Sequence, residues 1–240
     1  MSPNPQRAVL IIPALNEEAV IGQMLARVPV GLFASVLVVD NGSSDRTAEI
    51  ARLHGADVVS EPARGYGNAC LRALSSLPER TEILVFMQAD LSEDPSEARR
   101  LIAPIQADQA DLVIGTRTQG TAQPGSLLVH QRFGNWLATS MIRLLYARRY
   151  TDLGAFRAIR RDALAGLKMH SGRYAWTVEM QVRAIEQRLR VVEIPVSYRP
   201  RFAGENKISG RLGASFAAGA TILSTICRLW WRYRFCAGPV

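Results

Sequence analysis

The chain lacks the features that mark several protein classes. Its three cysteines, Cys70, Cys227 and Cys236, show no CxxC spacing, which argues against a zinc site or a disulfide framework and reads as reduced cytosolic thiols. The three histidines, His54, His130 and His170, have no ligand spacing either. No run reaches the roughly 18 uninterrupted apolar residues of a membrane span. The N-terminal MSPNPQRAVLII has no separate basic region, no cleavage site and too short an apolar run for a signal peptide, so that run is read as the first strand. No Gly/Ser/Pro-rich linker, repeat or low-complexity segment interrupts the 240 residues, which favours one domain. No GxGxxG follows the first strand and GxxxxGK[ST] is absent, so neither a dinucleotide fingerprint nor a P-loop is present. Basic residues are not interleaved with stacking aromatics, which sets nucleic acid aside as a partner.

What is present is positive charge and α/β alternation. Twenty-nine basic against 21 acidic residues give a net charge of +8, which suits an anionic bilayer or a phosphorylated small molecule. Short apolar runs at 8–12, 35–39, 57–60, 83–87 and 111–115 alternate with amphipathic stretches, the pattern of β-α units and a mainly parallel sheet flanked by helices. Asn16 and Ser44 are placed to cap the first two helices, the second stopping at Gly55, and Asp94-Pro95 opens another. Further helices are expected over 130–149 and 174–189, with a strand before a basic loop at 191–210. The final stretch, 211–240, is read as a helix that either docks on the core or, through Trp230, Trp231, Arg228, Arg232 and Arg234, anchors at a membrane interface.

Loops after successive parallel strands gather at the carboxyl edge of the sheet, where open α/β folds bind ligands. Asp40 ends the second strand, where its carboxylate can accept hydrogen bonds from a ribose or base edge, and Asn41-Gly42 supplies the turn. Arg64 and Gly65, in EPARGYGNAC, can set a guanidinium and backbone N–H groups against phosphate. After the fourth strand, FMQADLSEDP exposes Gln88 and Asp90 two residues apart. One carboxylate with one amide oxygen suits a hard cation held against a phosphate, though ordinary loop residues would look the same.

The segments PALNEE, VVDNGSSDRT, ARGYGNA, FMQADLSEDP, DLVIGTR, HQRFGN, TDLGAFR, WTVEMQ and EIPVSYRPRFAGENKISG, in that order over residues 13–210, resemble the GT-A-fold glycosyltransferases of family 2, in particular the dolichol-phosphate mannosyltransferase-like branch. The resemblance implies a GT-A domain over 1–210 and nucleoside contacts from Pro13, Asn16, Glu17 and Asp40. It implies that Gln88-Ala89-Asp90 stands where the family carries Asp-x-Asp, so that Mg2+ or Mn2+ is bound through Asp90 and, less strongly, Gln88. Asn41 departs from a frequent Asp, which opens the identity of the base. On the acceptor side it implies Arg117, Arg132, Arg199, Arg201 and Lys207 as phosphate contacts, Asp152 as a base or acceptor-positioning residue, and Glu179 as a residue orienting Arg or Lys in the basic loop. Asp90, Asp152 and Arg117 are the candidate catalytic residues.

The expected activity is inverting transfer of a sugar from a UDP- or GDP-sugar to a polyprenyl phosphate, by a protein peripheral to the cytoplasmic face of a membrane. The alternatives are a non-lipid acceptor, and a degenerate GT-A protein that binds nucleotide or lipid without turnover. A sugar-phosphate nucleotidylyltransferase is disfavoured because PALNEE replaces the Gly-rich Arg/Lys signature after the first strand.

Overall fold

A computed structural model describes residues 7–202 and 212–235. Its centre is a seven-stranded sheet in the order β3-β2-β1-β4-β6-β5-β7, made of β1 (Ala8–Ala14), β2 (Ser35–Asp40), β3 (Asp57–Ser60), β4 (Ile83–Phe86), β5 (Leu112–Thr116), β6 (Arg157–Arg160) and β7 (Val191–Pro195). All five apolar runs of the first half are strands. β6 alone runs antiparallel, between β4 and β5. β1 pairs in parallel with both β2 and β4, so the chain reverses its direction of travel across the sheet at β1. A crevice opens outside the carboxyl ends of the strands at such a point.

Side chains of a strand alternate between faces, and β1 feeds two cores at once. Leu10 and Ile12 enter one, and Val9 and Ile11 enter the other. The first core is covered by α1 (Ile21–Ala26), α2 (Thr47–Leu53) and α4 (Ala98–Gln106). The second is covered by α3 (Tyr66–Leu74), α5 (Val129–Tyr146), α6 (Arg161–Leu167), α7 (Trp176–Glu186) and α8 (Leu212–Phe235). α8 packs on α5 and α7 and buries Ala218, Thr225, Ile226 and Leu229. No described helix is long and apolar enough to cross a membrane.

Two of the expected caps differ. Asn16 does not cap α1, whose N-cap is Val20 with no side-chain bond, and Ser44 does not cap α2, whose N-cap is Arg46. Each is drawn into a contact between loops instead. Asn16 takes a left-handed backbone with φ 49°, its Oδ1 accepts the Ser44 N–H at 2.8 Å, and its own N–H donates to Ser43 Oγ at 2.9 Å. A local cap satisfies one helix end, whereas these bonds tie the β1 and β2 loops together. The Asp94 side chain does cap, accepting the Ser96 N–H at 3.0 Å ahead of a 3-10 turn, Pro95–Glu97. Gly55, with φ 79°, closes α2 as expected.

Gly67 opens α3 against the 171–172 backbone, and the Asn68 N–H donates to the Gly172 carbonyl at 2.7 Å. A Cβ on Gly67 would lie 1.8 Å from the Ser171 carbonyl oxygen, whereas one on Gly134 of α5 would meet nothing within 4 Å. Gly67→Ala is expected to cost about 2–3 kcal/mol by overpacking. A melting scan should show its Tm lowered by roughly 5–10 °C, with Gly134→Ala unchanged or slightly raised; equal behaviour of the two would refute the packing argument.

Candidate active site at the carboxyl edge of the sheet

The first two loops meet through side chains. Asp40 closes its own turn, its Oδ1 accepting the Ser43 N–H at 3.1 Å, and the same segment holds Asn16. Pro13 sits at the end of β1 opposite Val39. Glu17 is buried, with its backbone N–H donating to Thr47 Oγ1 at 2.7 Å.

Asn41 has a structural assignment that a carboxylate cannot take over. Its Nδ2 donates to the Glu61 and Ala63 carbonyls at 3.0 and 2.8 Å, and its Oδ1 accepts the Gly65 N–H at 2.7 Å. An ionised Asp has no donor for the two carbonyls. The bonds hold the loop that carries Arg64, exposed at its tip, and Gly65, whose φ of 144° suits glycine.

The loop after β4 folds back on itself around a buried carboxylate pair. Asp90 Oδ1 accepts from both the N–H and the hydroxyl of Ser92, at 3.0 and 2.5 Å. Gln88 donates its N–H to Glu93 Oε2 at 3.0 Å, and its Oε1 accepts the Ser92 hydroxyl at 3.4 Å. Leu91, buried with φ 59°, is a bulky residue in the left-handed region between them, a strained geometry that surrounding structure must enforce. Glu93 has no role in the sequence reading. Its signal lay in the second carboxylate three residues past Asp90, which reads as loop surface until the fold buries it. Burial pushes its carboxyl up to about 8, opposed by the Gln88 N–H and reinforced by the charge of Asp90.

The basic segment from the far end of the chain closes over this loop. The Arg199 N–H donates to the Ser92 carbonyl at 2.8 Å and the Phe202 N–H to the Asp90 carbonyl at 3.3 Å. Arg199 pairs with Asp94 at 3.1 Å. Arg201 forms an ion pair with Glu17 and lies 3.6 Å from Asp90 Oδ2. Glu17, Asp90 and Arg201, 184 residues apart at the extremes, thus share one place. Lys207 lies outside the described residues.

The other candidates form separate groups. Arg117 binds Asp152 through two parallel bonds, Nε to Oδ2 at 2.8 Å and Nη2 to Oδ1 at 2.7 Å, while its N–H reaches Oδ2 at 2.7 Å. Burial disfavours the guanidinium, but the Asp152 charge outweighs it and raises the Arg117 pKa. Asp152 is fully buried and also accepts the Leu153 N–H at 2.8 Å; its geometry is that of a holder of Arg117, whose guanidinium lies 5.1 Å from the Tyr198 ring centroid. Arg132 lines a cavity of about 410 Å³ with Thr118, Asn135, Trp136, Arg143 and Arg149. Thr118 and Thr151 of the same wall adjoin Arg117 and Asp152 in sequence.

Glu179 differs from the expectation that it orients the basic loop. It pairs with Arg183, one turn along α7, at 2.8 Å, and accepts the Ser171 and His170 N–H groups at 2.7 and 3.2 Å. Burial works against the charged form, but these donors hold the carboxyl below its ordinary range. Its reach is indirect: it shapes the 170–172 turn on which the Gly65–Asn68 segment rests.

Among the described residues no cluster of three or more His, Cys, Asp or Glu side chains surrounds a common point. Asp90 and Gln88 do present one carboxylate and one amide oxygen beside the Ser92 hydroxyl. This is an all-oxygen set, of the kind that holds Mg2+ through one or two carboxylates with substrate phosphates completing the shell.

The description "Glycosyl transferase family 2" matches residues 9–167. An uncharacterized glycosyltransferase of Mycobacterium bovis is 37% identical over 209 residues, covering 87% of this chain and 93% of its own. An undecaprenyl-phosphate mannosyltransferase of Micrococcus luteus is 30% identical, with 85% and 88% covered. The fold is similar to that of glucosyl-3-phosphoglycerate synthase from Mycobacterium tuberculosis, crystallised with Mn2+, UDP and glucosyl-3-phosphoglycerate, with a TM-score of 0.74 at 23% identity over 92% of this chain and 79% of that one. The chain has the GT-A fold, belongs to glycosyl transferase family 2 and is a glycosyltransferase.

Two substitutions probe this edge. Asn41→Asp removes both donors to the 61–63 carbonyls and is expected to cost about 2–3 kcal/mol, read as a lowered melting temperature at neutral pH; an unchanged melt would remove Asn41 from the scaffold. For Glu93, the folded pKa of about 8 stands above the ordinary 4.5, so the folded state keeps a proton that the unfolded chain releases. The stability it contributes is complete below about pH 4.5 and is lost as the pH rises to about 8. Glu93→Gln should flatten the fall in Tm across that window, and an identical slope in both proteins would contradict the assignment.

Proposed function

We propose that the chain transfers a sugar, with inversion, from a UDP- or GDP-sugar to the phosphate of a polyprenyl carrier. The observation that carries this reading is the convergence of Glu17, Asp40 and Asp90 at one sheet edge, together with a separate cavity that the loop after β5 shares with α5 and that is walled by Arg132, Arg143 and Arg149. Pro13, Asn16, Glu17 and Asp40 hold the nucleoside, and Arg64, Gly65 and Gln88-Ala89-Asp90 hold the diphosphate. Asp90, with Gln88, would hold Mg2+ or Mn2+. When bound, the ion stabilises the charge that builds on the departing diphosphate. Arg201 and Arg199, already at this loop, add positive charge from the protein itself.

An acceptor phosphate is ionised at neutral pH and needs little deprotonation. Arg117, aligned by Asp152, and Arg132 bind it, since the guanidinium fork matches phosphate oxygens. Asp152, with its oxygens committed to Arg117, serves to position that arginine. Attack on the anomeric carbon is direct and in line, with no residue required as a covalent nucleophile. Two similar proteins support a phosphate-bearing acceptor from different directions: one is named for undecaprenyl phosphate, and the other was crystallised with phosphoglyceric acid. Arginines on the cavity wall suit the phosphate of either, and a soluble phosphorylated acceptor is the second reading. A lipid acceptor places the protein at the cytoplasmic face of a membrane, with 1–210 as the catalytic domain and α8 contributing to attachment.

The test is transfer of labelled sugar from UDP- and GDP-sugars, with and without Mn2+, to polyprenyl phosphate in detergent or to 3-phosphoglycerate. Label in the organic phase supports the lipid acceptor; label on phosphoglycerate alone transfers the case to the second reading. Asp90→Asn is expected to lower kcat about 10²–10³-fold, and Gln88→Asp to lower the Mn2+ concentration needed for half-maximal rate. A fully active Asp90→Asn enzyme would remove Asp90 from the site.

A further inference from the structure

The net charge of the chain is segregated. From Leu112 to Thr151 there is no acidic residue, and there is none from Leu212 to Phe235; together these stretches hold eight arginines, 117, 132, 143, 148, 149, 228, 232 and 234, and no lysine. Eight positive charges equal the +8 of the entire chain, whose remaining 21 basic residues balance its 21 acidic ones. Apart from Arg117, paired with Asp152, every one of these arginines is exposed.

The same stretches carry apolar side chains turned outward. On α5, Val129, Phe133, Trp136 and Leu144 recur at helical spacing and are 84, 59, 60 and 83% exposed, while Ala138 and Ile142 bury the opposite side. The Phe133 and Trp136 rings lie 5.8 Å apart. On α8, Trp231 and Phe235 are 58 and 60% exposed, with ring centroids 4.4 Å apart. The ends of the two helices meet through Tyr146 and Tyr233, at 6.1 Å. A surface helix ordinarily turns its apolar stripe to the core and its polar face to water; α5 turns a second apolar stripe to solvent.

We propose that the outward side of α5, together with the C-terminal turns of α8, is the surface by which the protein lies on an anionic phospholipid bilayer. Aromatic and aliphatic side chains enter the interface while the flanking arginines face lipid phosphates, the combination that binds interfacial helices. Neither stretch contributes an acidic side chain of its own, which fits this occupant, and the neighbouring Glu186 of α7 is half-buried and accepts the Tyr146 hydroxyl at 3.0 Å. Trp136 belongs both to the stripe and to the wall of the Arg132 cavity, so docking would open that cavity toward the headgroup layer. In that last respect the inference rests on the lipid-phosphate reading of the acceptor; the docking surface itself does not.

Sedimentation of the full chain with phosphatidylcholine vesicles, with and without phosphatidylglycerol and containing no polyprenyl phosphate, tests it. Binding is expected to be at least about tenfold tighter with phosphatidylglycerol at ~0.1 M salt and to fall severalfold at ~0.5 M. The double variant V129S/F133S should bind at least about fivefold more weakly while keeping the parent's melting shift with nucleotide sugar, which shows the fold and donor site intact. Indifference to phosphatidylglycerol, or equal binding by parent and variant, would overturn the proposal. So would a parent dimer in sedimentation velocity that the variant dissociates, because the face would then belong to a second copy. Because the vesicles carry no acceptor, failure here is distinct from failure of the detergent-phase transfer assay.

Discussion

Carboxylates gathered at one sheet edge repel one another, and a fold that gathers them must supply positive charge from elsewhere in the chain. Here β1, β2 and β4 run parallel, so the loops bearing Glu17, Asp40 and Asp90 emerge on one side. Arg201, delivered by the segment after β7, sits between Glu17 and Asp90. This cluster connects the halves of the chain, since the strands of the first half place the acids and the last described segment before α8 brings Arg201 against Glu17 and Asp90. In the proposed reading, a nucleotide sugar with its cation enters this same electrostatic balance, exchanging diphosphate and metal for contacts the protein makes with itself.

The remaining parts support that edge at one remove. Asn41 fastens the 61–65 loop to the β2 turn, and from below, Glu179 shapes the 170–172 turn against which Gly65 and Gly67 press. Antiparallel β6 delivers the segment carrying Asp152 to the start of the loop after β5, where Arg117 receives it in a forked pair. Breaking a buried pair of this kind costs more than the pair contributes, because a charge is left behind uncompensated. Arg117 is thereby held in one geometry, as the proposed binding of an acceptor phosphate requires.

Charge and apolarity are distributed with comparable economy. Outside two acid-free stretches the chain is formally neutral, and inside them the arginines share their surface with outward aromatic rings. The inner side of α8 packs in the second core and its outer side does not, so docking on the body and anchoring at an interface are compatible uses of one helix.

The order of the strands, the polar loops at their ends and the family to which the chain belongs were legible from residues alone, because apolar periodicity and local motifs are properties of neighbours in sequence. Gly55 and Asp94 act as their neighbourhoods require. Asn16 and Ser44 do not: each is a good cap by local rules, and each is taken instead by a partner 28 residues away, a competition that no local window contains. Glu93 looks like any loop carboxylate until the fold buries it beside Asp90, and Glu179, read as orienting Arg or Lys of the basic loop, pairs among the described residues with Arg183 of its own helix. The sequence by itself determined which residue types occupy each strand end, and hence the class of chemistry. Tertiary structure decided which of those side chains meet, because ion pairs and desolvation depend on distances between segments that sequence separation does not encode.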